Sequence, residues 1–327
     1  MARTTIDWES QIGRRLRLRD LHVFFTVAQR GTMAKAAQQL NVTQPAVSRV
    51  IADLEHTLGV RLLDRSPRGV EPTMYGRALL ARGTAAFDEL RQSVKDIQFL
   101  ADPTAGELKI GCPEGISAIL PPLMERFSQQ YPRVVVDVEQ VRTVTLELPA
   151  LRERRVELVL GRPGTLSKGD GLEDDLDIEV LFNEKLVVVA GNCSRWARRR
   201  TVDLAELVGE PWILTGPGEF NYNVVAEAFR ARGLDMPRIA FKSASTQFRA
   251  NMVATGRFIA TFPGSLMRFN ADRLALKVLP IELPLRRWPF AIVTLKHRTL
   301  SPLAERFIEH VREFTRPMRD ARPAPRR

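Results

Sequence analysis

The sequence predicts two architectures in one chain: an all-α N-terminal module with a short basic hairpin and a long helix behind it, then a C-terminal α/β region. Three observations predict this. Residues 18 to 72 hold three segments with apolar residues at helical spacing, followed by two strand-like runs around an arginine-bearing turn. Residues 74 to 101 contain no proline and carry apolar residues at alternating steps of three and four. From Gly106 onward, short apolar runs alternate with helical patterns as far as a last helix ending near Phe314.

Taken in order, Leu18, Leu21, Phe25 and Ala28 make one face of a first helix that ends near Gly31. Thr32 is the expected N-cap of a second helix, Met33 to Leu40, whose stripe is Met33, Ala36, Ala37 and Leu40. Asn41 and Val42 form a turn. Thr43 then caps a third helix with Val47, Val50, Ile51, Leu54 and Leu58 inward and Gln44, Ser48, Arg49, Ala52 and Glu55 outward, and Gly59 stops it. A helix that enters the major groove needs short polar side chains in its first turns. Gln44, Pro45 and Ser48 meet that need; Gln44 suits an adenine edge or a phosphate, Ser48 either partner, and Arg49 a guanine or a phosphate. An ordinary helical hairpin in a core has the same spacing. Val60 to Leu63 and Val70 to Thr73 read as strands flanking Asp64-Arg65-Ser66-Pro67-Arg68-Gly69, which puts Arg65 and Arg68 at an exposed turn within reach of phosphates or the minor groove.

The run AAQQLNVTQPAVSRVIADLEHTLGVRLLDRSPRGVEPTMYG closely resembles the N-terminal domain of LysR-type transcriptional regulators, and the order of segments over nearly the whole chain is similar to theirs. The resemblance implies a winged helix-turn-helix over residues 18 to 73, with Thr43, Gln44, Pro45, Ser48 and Arg49 as recognition-helix contacts and Arg65, Arg68 and Pro72 in the wing. Val50 departs from the pattern, since many members have a polar residue there. It alters either the groove-side chemistry or the packing.

Composition agrees with a DNA-binding module fused to a larger neutral part. The net charge is +11, and residues 1 to 73 hold 11 basic against 7 acidic side chains, whereas residues 106 to 311 hold 28 against 25. A basic module suits a polyanion because neutralised phosphates release counterions. The two cysteines, Cys112 and Cys193, are far apart and form neither a disulfide framework nor a zinc spacing, and no metal or cofactor is expected. No apolar stretch is long enough to span a membrane, and MARTTIDWES lacks the apolar centre of a secretory signal, so the expected location is the cytoplasm. Residues 1 to 17 read as a polar lead-in and residues 316 to 327 as a disordered tail rich in Arg and Pro.

The apolar seam of the long helix is Leu80, Gly83, Phe87, Leu90, Val94, Ile97 and Ala101. A second copy could cover it, or it could pack on its own domains. In the resembled family this segment joins two DNA domains, which implies a homodimer or tetramer through Leu80, Phe87, Leu90, Val94 and Ile97. A hinge at Asp102 to Gly106 closes the linker, residues 74 to 105.

Residues 106 to 315 read as a parallel α/β sheet: strands at 107 to 112, 134 to 139 and 156 to 160 with helices at 116 to 130 and 145 to 154, then strands at 185 to 190, 212 to 215, 239 to 242 and 258 to 262. Late runs at 275 to 282 and 289 to 295 precede the last helix. By resemblance this is a two-lobed, periplasmic-binding-protein-like effector domain. Ligands of open α/β sheets bind beyond the carboxyl ends of the strands. The effector candidates lie in the loops there: Glu114, Gly115, Ser117, Arg142, Thr143, Arg162, Ser243 and Thr246, with Arg249 as a further source of positive charge. Many members have Ser or Thr where this chain has Glu114-Gly115, so a plain carboxylate ligand fits less well than one that also bears hydroxyl or amino groups. Trp212, Phe220, Tyr222 and Phe262 are core or pocket wall.

The reading is thus a regulator whose partners are double-stranded DNA, a small polar or anionic effector, further copies of itself and RNA polymerase. The alternatives are a small-molecule enzyme and a constitutive DNA-architectural protein. Against an enzyme, His22, His56, His297 and His310 are scattered, and no nucleophile with a neighbouring base, metal spacing or phosphate loop appears.

Overall fold

The computed structural model describes residues 15–66, 69–117, 119–141, 147–161, 174–284 and 288–319. The chain divides into two compact units between Arg91 and Gln92, inside the long helix.

In the first unit, α1 spans Leu18–Arg30 and α2 spans Met33–Leu40, the latter capped where the Thr32 hydroxyl accepts from the Lys35 amide at 3.2 Å. Helix α3, Gln44–Leu58, starts the same way, with Thr43 accepting from Ala46 and Pro45 in the first turn, and Gly59 ends it in the left-handed region. Phe24, Val27, Ala36, Val47, Ile51 and Leu54 form the core. Leu40 and Val50 pack against it only partly buried, so Val50 serves packing. The hairpin pairs β1, Leu63–Ser66, with β2, Gly69–Pro72, antiparallel. The first strand begins three residues later than the sequence pattern suggests. The Val60 amide still bonds back to Glu55 O, and the Leu62 and Leu63 amides are held by the Glu55 carboxylate, so pairing cannot start sooner.

Helix α4 spans Met74–Ala101. Its first half packs on this same unit. Phe87 meets Phe25 edge-on at 5.2 Å between centroids, and Gly83 allows it, because a Cβ at Gly83 would lie 2.3 Å from the Phe25 ring.

The second unit begins with β3, Ala105–Cys112, then α5, Glu114–Ser117, α6, Leu120–Gln130, and β4, Arg133–Gln140. The one helix expected over 116 to 130 is therefore two. Pro121 and Pro122 fit the first turn of α6 but would break the interior of a longer helix. There follow α7, Pro149–Arg152, which ends two residues before the expected 154 and starts after 148, residues 145 and 146 lying outside the described residues, then β5, Leu158–Gly161, β6, Leu176–Glu184, and β7, Leu186–Gly191. After two 3-10 turns come β8, Trp212–Leu214, α8, Phe220–Arg230, β9, Ile239–Lys242, α9, Thr246–Ala254, β10, Ile259–Pro263, α10, Gly264–Asn270, β11, Leu276–Val278, β12, Trp288–Leu295, and α11, Pro302–Arg319.

These strands form two five-stranded sheets, β4-β3-β5-β12-β6 in lobe I and β11-β7-β10-β8-β9 in lobe II. The expected all-parallel arrangement is corrected to mixed sheets. Strands β3, β4 and β5 are parallel, as are β8, β9 and β10, but β12 runs antiparallel to β5 and β6, and β7 antiparallel to β10 and β11. The reversed strands are those that carry the chain from one lobe to the other and back. In lobe II, buried side chains lie on both faces of the sheet: Val188, Trp212 and Leu214 in one cluster, Val189, Ile213 and Phe262 in another. Trp212 and Phe262 are core, and Tyr222 packs on it partly buried.

The last helix continues past the expected Phe314. Arg316 to Arg319 are helical, Met318 packs on the lobe I core and the Arg319 Nε donates to the Leu181 carbonyl at 2.9 Å, so the supposed tail is structured to Arg319. On the same helix, the His310 Nε2 reaches the Leu123 carbonyl at 3.2 Å, and its ring meets Phe127 edge-on. Burial pushes the His310 pKa below its ordinary 6.5, while the bond to Leu123 pulls the other way. The unfolded chain therefore takes up this proton first as pH falls, so the contribution is intact above pH 6.5 and is lost as pH drops towards the folded value. Urea midpoints compared above and below pH 6.5 should show a smaller acid loss in His310→Gln than in wild type.

Candidate functional site

Helix α3 presents Gln44, Pro45 and Arg49 to solvent with Ser48 half-buried, while Val47 and Ile51 anchor its other side. Thr43, exposed, stays at the cap. The hairpin lies against this helix: the Arg65 Nη1 donates to the Ser48 hydroxyl at 3.5 Å, which brings two of the expected contacts together. The Pro72 carbonyl accepts from Arg77 at 2.8 Å. Arg68 lies outside the described residues.

Two features that aim the hairpin were not among the expected site residues. Glu55 sits on the outward face, yet its Oε1 accepts from the Leu62 and Leu63 amides at 2.7 and 3.1 Å and fixes where the strand leaves the helix. At the other side, the Val70 amide donates to the Gly31 carbonyl at 2.8 Å. Gly69, at φ +134, is required there, since a Cβ would lie 2.6 Å from that oxygen. The only hint in the sequence is a carboxylate in the last turn before Gly59. The exposed donors and acceptors of α3 suit base edges, and a guanidinium on the hairpin suits phosphate.

The second unit brings the loops of its two lobes together. Glu114, at the start of α5 in lobe I, accepts on one carboxylate oxygen from the Thr246 amide at 3.1 Å and the Ser245 hydroxyl at 3.3 Å, both at the start of α9 in lobe II. Ser245 also caps α9 through the Phe248 amide, and the Ser243 hydroxyl accepts from the Ser245 amide. Gly115 follows Glu114, half-buried. Of the other expected effector residues, Arg142, Thr143 and Arg162 lie outside the described residues, as does the Ser117 side chain.

Arg249 is buried, only 3% exposed. Its Nη1 donates to the Thr261 carbonyl at 2.9 Å, and its guanidinium lies 5.0 Å from the centroid of the Phe262 ring. Burial pushes its pKa down to about 10, and the Glu114 and Glu219 carboxylates resist that shift. Among the described residues, the Arg249 Nε and the Thr215 hydroxyl are buried without a hydrogen-bond partner. Two more contacts cross between the lobes. Glu184, at the end of β6, accepts from the Ser265 amide at 3.1 Å and from its hydroxyl, and Phe220 stacks on Trp288 at 4.0 Å. Phe220 is thus interlobe wall rather than core.

The seam of α4 is divided. Leu80 and Phe87 pack on the core of the first unit, whereas Leu90, Val94 and Ile97 are exposed, Ile97 by 66%. Among the described residues no helix is long and apolar enough to cross a membrane.

Residues 18–77 match the family model for the bacterial regulatory helix-turn-helix protein, lysR family, and residues 101–316 that for the LysR substrate binding domain. Over 292 residues the chain is 30% identical to the uncharacterized HTH-type transcriptional regulator YybE of Bacillus subtilis (strain 168), covering 89% of this chain and 96% of that protein. It is 28% identical over 297 residues to the HTH-type transcriptional regulator TdcA of Escherichia coli (strain K12), covering 90% and 92%. Full-length CbnR complexed with its target DNA is similar in fold, with a TM-score of 0.58 at 24% identity over 91% of this chain and 99% of that one.

Proposed function

Since the chain belongs to the LysR family of bacterial helix-turn-helix regulators, and is a DNA-binding transcriptional regulator on that ground, we propose which of its residues read DNA and what its second unit senses. Gln44, Ser48 and Arg49 contact bases or phosphates in the major groove, with Thr43 and Pro45 setting the approach of the helix. Arg65, Arg68 and Pro72 form the wing that holds the backbone. The observation that carries this is the polar, solvent-facing start of α3, joined to the hairpin by Arg65 and Ser48.

The test separates specificity from affinity. Gln44→Ala should lower discrimination between operator and random duplex by about 1–3 kcal/mol, the worth of a bidentate base contact. Arg65→Ala should weaken both duplexes alike and flatten the dependence on salt by about one phosphate. Equal losses on operator and random DNA for every α3 variant would sink the assignment.

Two copies joined through Leu90, Val94 and Ile97 would present two recognition helices to half-sites about 34 Å apart. In the second unit a small polar effector with an anionic group sits between the lobes, near Glu114, Gly115, Ser117, Arg142, Thr143, Arg162, Ser243 and Thr246. Arg249 and Thr215, buried and incompletely satisfied among the described residues, support this reading, because such groups call for a further acceptor and donor. Contact with RNA polymerase belongs to the same proposal.

A further inference from the structure

The amides in the first turn of a helix have no partner within the helix, and the aligned peptide dipoles make that end positive, so it receives anions. In α9 this position is filled from inside the molecule. One oxygen of Glu114, a lobe I residue, takes both the Thr246 amide and the Ser245 hydroxyl. One turn along α9, Arg249 is buried with its Nε–H unsatisfied among the described residues, and the Glu114 and Glu219 carboxylates oppose the lowering of its pKa by burial. A guanidinium with a free donor and a helix start within its field form the usual surroundings of a bound carboxylate.

We propose that Glu114 is a tethered competitor for a carboxylate subsite at the start of α9: it clasps the two lobes from within, and a carboxylate ligand gains the subsite only by displacing it. The inference rests on reading the interlobe cleft as the effector site. A tethered group competes at an effective concentration in the millimolar range or above, so the clasp raises the ligand concentration needed and excludes weak carboxylates.

The experiment uses the full-length protein without DNA, with acetate and propionate as probes and chloride at equal ionic strength as control. Glu114→Ala opens a carboxylate-sized space; it should melt at a lower temperature than wild type, regain that loss in acetate or propionate but not in chloride, and bind these anions at least tenfold more tightly. Glu114→Ser opens the same space and serves if the alanine variant does not fold. Glu114→Gln refills it without the charge and should gain no anion binding. Anion binding that is equal in wild type and the small variants, or absent from all of them, overturns the proposal. The effector reading fails differently. If no carboxylate compound alters DNA binding by wild type or variant, that reading falls while the acetate result stands.

Discussion

Lys95→Ala is expected to destabilise the C-terminal unit by about 3 kcal/mol, the lower end of the range for breaking a buried ion pair. Glu157 is 2% exposed, and its carboxylate is met by the Lys95 ammonium at 2.5 Å, by the Ser301 amide at 3.0 Å and by the Gln92 side chain at 3.4 Å. Ser301 in turn caps α11 through the Ala304 amide. Removing the lysine leaves a buried charge with neutral donors only. The lower end applies because Lys95 is itself 30% exposed, so water can reach part of the vacated position. A shift in the urea midpoint measures the effect. The double variant Lys95→Met, Glu157→Gln keeps an acceptor for Ser301, removes both charges and should recover more than half of the loss. An unchanged midpoint in Lys95→Ala would show that the pair contributes nothing.

Phe87→Asp and Leu90→Asp, three residues apart on one seam, are expected to fail in different ways. Phe87 packs between Phe25 and His22 in the first unit, so the aspartate loses both aromatic contacts and sets a charge against the Phe25 ring. Phe87 is only partly buried, so a loss of about 3 kcal/mol follows, the lower end for removing a buried phenylalanine, and it falls on a small domain of marginal stability. Binding to operator and to random DNA should disappear together, with a lower melting transition. Leu90 is 45% exposed, so Leu90→Asp should leave the fold intact and halve the mass seen in sedimentation. If Leu90→Asp keeps the wild-type mass, the exposed half of the seam does not join two copies. If Phe87→Asp folds normally, the contact with Phe25 is unimportant.

Much of the N-terminal unit was legible because its signals are local. Thr32 and Thr43 cap helices that begin one residue later, and Gly31 and Gly59 end helices where their left-handed φ is needed. Partnership over distance was not legible. The period of three and four along α4 marks an apolar stripe but cannot say that Phe25 takes its first half. Strand β6 was missed because charged residues break up its apolar run, and α10 because its Gly-Ser start looks like a turn. The reversed directions of β7 and β12 depend on which lobe each strand joins. In the cleft, Glu114 and Thr246 were expected as neighbours of a ligand. Their contact with each other spans 131 positions and more of sequence, beyond any local pattern. Arg249 was legible as a source of positive charge for the cleft, but its burial and its bond to Thr261 were not.

The placement of β12 between β5 and β6 has a consequence for how the chain is made. Lobe II is assembled from one continuous stretch, β7 to β11, and can close as soon as that stretch has left the ribosome. Lobe I cannot, because its sheet has a gap one strand wide until Trp288–Leu295 is synthesised. At usual elongation speeds the interval is on the order of ten seconds, during which β5 and β6 each present an open hydrogen-bonding edge. Lobe I is therefore the part of the newborn protein most exposed to wrong pairing with a neighbouring chain, and truncation before β12 should send the protein into aggregates while lobe II still folds.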